Sequence, residues 1–163
     1  MRPNIAVIVA GALAACSPAA DRRAPMPEGT EPAPASEARA RPALLPKDIE
    51  AANLQGELGC SFAEYETDAP LLVAMADVRD GATADGVMKL GPSTLRLSAA
   101  EPGGFNAMVD GERFISGDLT ATVAVTSDEL VGSGESPPRR ATLTLESAGF
   151  APQRIEGLWT CGP

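Results

Sequence analysis

The chain changes its periodicity near Gly56: from Pro46 to that glycine the pattern is helical, after it the pattern alternates. The alternation is cleanest from Leu119, where Leu119, Ala121, Val123 and Val125 are interleaved with Thr120, Thr122, Ala124 and Thr126. A period of two places one set on each face of an extended backbone, which predicts a strand with one dry and one wet face. Ala141, Leu143 and Leu145 against Thr142, Thr144 and Glu146 predict another. Ile155, Gly157, Trp159 and Cys161 against Arg154, Glu156, Leu158 and Thr160 predict a last one. Earlier, Leu54, Gly56, Leu58, Cys60 and Phe62 face Gln55, Glu57 and Ser61 in the same way. Leu71 to Val78 is apolar in both phases and predicts a more fully buried strand. Val87 to Leu90 and Thr94 to Ser98 flank Gly91-Pro92, and Phe105 to Val109, Asp110-Gly111 and Arg113 to Ile115 carry the Asp-Gly signal of a tight hairpin.

The helical exception is the opening "PKDIEAANLQG". Pro46 stands near a first helical position, acids come early and Gly56 follows the end, which predicts one short helix. About eight short strands, separated by Gly-, Pro- and Asp-rich turns and by no helical stretch, predict an all-β fold. The architecture is a small antiparallel barrel or a sandwich. Lys47 to Pro163 is 117 residues, the size of one domain with one core.

The front of the chain is different. Arg2 supplies a positive charge, and Ile5 to Ala12 is a short apolar core ending in small residues, the pattern of an export signal. It is about half the length that a membrane-spanning helix requires. Leu13-Ala14-Ala15-Cys16 resembles the lipobox of bacterial lipoproteins. That resemblance implies cleavage before Cys16, a diacylglycerol on its thiol and an acylated new amino terminus. Two or more acyl chains hold a protein on a membrane stably, because each buried methylene contributes about 0.8 kcal/mol. Ser17 stands where the family carries a retention aspartate, so the resemblance implies outer-membrane delivery, with the domain facing the periplasm.

From Ser17 to Pro46, seven prolines and eight alanines make up half of the residues, and four Arg balance three Glu and one Asp. Such a segment buries too little apolar surface to offset its ordering entropy, and it reads as a tether. The predicted organisation is thus a signal peptide over 1–15, lipidated Cys16 with its tether over 16–46, and a β domain over 47–163.

With Cys16 assigned to lipid, Cys60 and Cys161 remain as a pair in an oxidising compartment. Both fall on apolar faces, Cys60 beside Leu58 and Phe62 and Cys161 beside Trp159, so a disulfide is expected to join the first and last strands. There is no Cys-x-x-Cys spacing to suggest redox or metal chemistry.

The chain contains no histidine, which excludes a Ser-His-Asp or Cys-His apparatus and a His-ligated zinc. No phosphate loop, dinucleotide fingerprint or kinase signature is present. Acids cluster in "EYETD", Glu64 to Asp68, and at Asp77, Asp80 and Asp85, where turns are expected and solvated carboxylates are ordinary. From Lys47 onward 18 acids face 8 bases, a net of −10, which repels nucleic acid and anionic lipid surfaces and steers in a cationic protein or peptide. No cofactor or metal is expected.

The layout, a lipidated small β domain with an early and a terminal cysteine, resembles the membrane-bound inhibitors of C-type lysozyme. Their inhibitory loop carries Ser-Gly followed by a basic residue and an aromatic. Ser116-Gly117-Asp118-Leu119 lacks both, so that site does not transfer. The stretch from "LQGELGCSF" to the closing "GLWTCGP" also resembles lipoproteins of alphaproteobacteria that have no assigned role. The expected function is a membrane-anchored, non-enzymatic envelope domain that binds a protein, peptide or glycan. The alternative is a structural or assembly lipoprotein that stabilises another envelope component. The loop Glu64, Tyr65, Glu66 and Asp68 is the candidate contact, because loops on a rigid scaffold carry recognition.

Overall fold

A computed structural model describes residues 41–163. Cys16, the expected signal peptide and most of the expected tether therefore lie outside the described residues.

Eight strands in chain order close into one antiparallel barrel. They are β1 (Leu58–Glu64), β2 (Pro70–Ala76), β3 (Asp85–Leu90), β4 (Ser93–Ala99), β5 (Arg113–Ser116), β6 (Leu119–Leu130), β7 (Arg139–Ser147) and β8 (Gln153–Gly162). Each pairs with its sequence neighbour, and β1 also pairs with β8, which closes the sheet and decides barrel over sandwich; β4 and β5 meet over only two residue pairs. The pattern-derived strands from Leu119, Ala141 and Ile155 are β6, β7 and β8.

The inner phase is packed solid. Phe62, Leu72, Met88, Leu97, Phe114, Leu143 and Trp159 are each at most 1% exposed and belong to one cluster. The outer phase is polar over much of the surface, with Thr120 and Thr122 on β6, Thr144 and Glu146 on β7, and Arg154 and Glu156 on β8. An apolar inside and a polar outside reverse the arrangement with which barrels span lipid.

In the β1–β8 register Cys60 lies opposite Cys161, with Cα atoms 4.0 Å apart, and the expected disulfide joins them across 101 residues of chain. A cross-link closing a loop of about 100 residues removes about 4.7 kcal/mol of unfolded-chain entropy in the simplest treatment.

Helix α1 (Pro46–Ala52) is the predicted one. The Asp48 carboxylate accepts the Leu45 N–H at 2.9 Å and a bond from Lys89 Nζ on β3 at 3.0 Å. At the other end the Ala52 carbonyl accepts Arg96 Nη1 of β4 at 2.6 Å, and Asn53 turns the chain out at φ 46. The helix is thereby strapped to the outside of β3 and β4, where Val87 points outward yet is fully buried. Leu44 is 2% exposed, with its N–H on the Pro70 carbonyl, and Arg41 donates to Gln153. The segment 41–46, expected in the tether, is therefore tied to the barrel through Arg41 and the buried Leu44, while Pro42, Leu45 and Pro46 stay exposed.

Three further expectations are corrected. The strand expected from Leu54 begins only at Leu58, since Gly56 takes φ 146 and a Cβ there would lie 2.4 Å from the Ala76 nitrogen. The second strand ends at Ala76 and leaves Val78 exposed.

The predicted hairpin at Phe105 to Ile115 is instead helix α2 (Gly104–Val109) leading into β5, so one helix does interrupt the strand succession. Phe105 and Met108 are three apart, a helical spacing that brings both to the core. Gly104 starts the turn at φ 61, where a Cβ would come within 2.7 Å of the Asp77 and Arg79 carbonyls. At the far end Trp159 Nε1 donates to the Met108 carbonyl at 3.0 Å, and Arg139 donates to the Val109 carbonyl and reaches Asp110 at 3.2 Å. Asp110-Gly111 thus ends a helix that closes one end of the barrel.

Candidate functional site

The loop between β1 and β2 sits at the barrel end opposite α2. Glu64 is the last residue of β1; its carbonyl accepts both the N–H and the hydroxyl of Thr67, at 3.3 and 3.1 Å, and Glu66 takes a left-handed φ of 65. These bonds shape a tight turn that presents Tyr65, Glu66 and Asp68 to solvent. The four candidate residues are brought together by chain adjacency, and two are already engaged. The Glu64 carboxylate lies 3.9 Å from the Arg41 guanidinium, and the Arg140 guanidinium stands 5.9 Å from the centre of the Tyr65 ring. Glu66 and Asp68 are the exposed acids of the loop.

The other sequence acids do not join them. Asp77 pairs with Arg79 at 3.2 Å and lies at the α2 end, and Asp85, expected in a turn, opens β3 and pairs with Arg96 at 2.7 Å. Asp118, in the β5–β6 turn, accepts a bond from the Ser147 hydroxyl. Among the described residues no three His, Cys, Asp or Glu side chains converge as metal ligands would. Two carboxyls are displaced from their ordinary range. The Leu45 N–H and then Lys89 hold Asp48 down, whereas partial burial pushes Glu112 up against the opposing bond from the Arg113 N–H.

Among the described residues, buried side chains such as Phe62, Leu72, Phe114 and Trp159 fill the barrel interior. At the end opposite α2 the mouth between Leu90, Leu119, Leu145 and Phe150 leaves about 20 Å³, room for roughly one water. Three concavities of similar size lie outside: about 360 Å³ at the β3–β4 turn, about 320 Å³ between α1 and β3–β4, and about 310 Å³ over β1, β2 and β8, the last including Gly59, Ser61, Val73 and Met75. The one advance signal of this last concavity in the sequence is that "LLVAMA" is apolar in both phases.

No family model, curated protein or solved structure matches this chain.

Proposed function

We propose that this chain is an outer-membrane lipoprotein, attached through Cys16, whose barrel works in the periplasm as a non-enzymatic binding domain for a cationic protein or peptide. The observation that carries this reading is the filled barrel: with Phe62, Leu72, Phe114 and Trp159 occupying the interior, recognition falls to the outer surface and its loops. Among the described residues no helix is long and apolar enough to cross a membrane; the support for attachment through Cys16 is the lipobox resemblance of Leu13-Ala14-Ala15-Cys16. The acid excess supplies long-range attraction for a positive partner and makes association fastest at low salt. Exposed Glu66 and Asp68, with Tyr65 and Glu64 beside them, are the candidate contacts.

Two measurements test it. Intact mass of the protein from its native envelope should show a chain beginning at Cys16 with added acyl mass, and an unlipidated chain beginning at Ser17 or later would refute the anchor. Binding of a cationic lysozyme to the full chain should weaken with salt and in the combined variant Glu64→Ala, Glu66→Ala and Asp68→Ala. Turnover of a peptidoglycan or ester substrate by the purified protein would overturn the non-enzymatic reading.

A further inference from the structure

β2 departs from the pattern of its neighbours. Leu72, Ala74 and Ala76 point inward and are buried, so Val73 and Met75 point outward, half-buried, where β6 carries threonines. The outward positions beside them are small: Gly59 and Ser61 on β1, Thr160 and Gly162 on β8. Over this floor runs a groove of about 310 Å³.

Its two walls are anchored. Glu57 forms one; its N–H bonds the Ala76 carbonyl at 3.1 Å and its carboxylate accepts the Val78 N–H at 3.2 Å. Ser136, near the tip of the β6–β7 hairpin, forms the other, and it comes so close to Gly162 that a Cβ there would meet the serine side chain. The groove is therefore a built feature with an apolar strip along a floor of small residues.

We propose that this groove seats an extended, positively charged peptide segment of a partner protein, with an apolar side chain over Val73 and Met75 and a flanking Lys or Arg against Glu57. The inference deepens the proposed function and rests on it. Under the groove β1 is already paired with β2 on one side and β8 on the other, so a peptide there cannot add as a strand and must be read through its side chains. The charged group lining the groove is an acid, and Glu135 adjoins its Ser136 wall. A cation is the complement of that rim. A second copy of this chain, itself at −9, and an anionic lipid are both repelled.

The test uses the full chain and a fluorescein-labelled hexapeptide of alternating lysine and leucine, with alternating glutamate and leucine as the control. The cationic peptide should bind with an affinity that falls with salt, and the anionic one should not bind. Ser61→Trp, which fills the floor, and Met75→Lys, which reverses the complementarity on an outward position, should each weaken binding at least about tenfold. The triple loop variant at Glu64, Glu66 and Asp68 should change it less than about twofold. Groove variants that bind as wild type overturn the groove. So does a dimer in light scattering that Met75→Lys dissolves, or protease protection of residues 17–40 that the same variant removes, since these place a second copy or the chain's own tether there. A wild type that binds lysozyme but not the hexapeptide defeats the groove alone, and one that binds neither defeats the functional reading beneath it.

Discussion

β2 and β6 are strands of the same barrel with the same inward duty, and they differ on the outside. β6 turns Thr120, Thr122 and Ala124 to solvent, while β2 turns out Val73 and Met75 beside the glycine and serine of β1. In a closed barrel the inner phase is dictated by filling, so the outer phase is where a surface declares what touches it. Threonine on β6 needs only water. On β3, one strand further on, outward Val87 is covered by helix α1, whereas outward Val73 and Met75 on β2 stay half-buried at the surface, where the proposed peptide would sit.

The largest expected effect concerns the seam next to β2. Replacing Cys60 and Cys161 together by alanine should lower stability by about 2–5 kcal/mol in urea unfolding. A loss below about 1 kcal/mol would mean that the β1–β8 ladder alone closes the barrel. On the inner phase the two strands should behave alike, Leu72→Ala costing about 2–5 kcal/mol and Val123→Ala somewhat less, because both side chains fill the same core. On the outer phase they should separate from core behaviour. Met75→Thr is expected to cost under about 1 kcal/mol and Thr122→Val to stay within about 0.5 kcal/mol. If Met75→Thr costs as much as Leu72→Ala, the outer face of β2 is structural core and the contrast fails.

Acid tests the covered flank. The Leu45 N–H and Lys89 stabilise the Asp48 carboxylate, so its folded pKa lies below the unfolded one. Its contribution is complete at neutral pH and is lost as pH falls from about 4 through the folded value. Asp48→Asn should flatten that part of the curve of Tm against pH; an unchanged slope would show that the Asp48 carboxylate does not hold α1. Glu112 works the other way and has the smallest effect. Burial raises its folded pKa, so the ionised form opposes folding above the ordinary carboxyl range. Glu112→Gln should raise Tm slightly at neutral pH, with the gain vanishing at about pH 4 and below.

β6, β7 and β8 were legible because strict alternation leaves one interpretation, and the Cys60–Cys161 bond because the two cysteines fall on apolar faces at the two ends of the domain. α2 was not legible. Phe105 to Val109 followed by Asp110-Gly111 reads as half a hairpin, and nothing local reveals that Trp159 and Arg139, 30 to 51 residues away, will bind its last carbonyls. The loop at Glu64 was located correctly as a turn, but the claims of Arg41 on Glu64 and of Arg140 on Tyr65 come from parts of the chain far from it in sequence.

The sequence by itself determined that this is an all-β domain with a short leading helix and, along the strictly alternating strands β6, β7 and β8, which residues face inward. Those properties follow from side-chain period and residue type, which the chain carries locally. Closure into a barrel, the end plugged by α2 and the groove over β1, β2 and β8 were decided only by tertiary structure. Each depends on which distant strands become neighbours, and the pairing of β1 with β8 is the long-range contact that closes the sheet and brings Ser61, Met75 and Thr160 onto one surface.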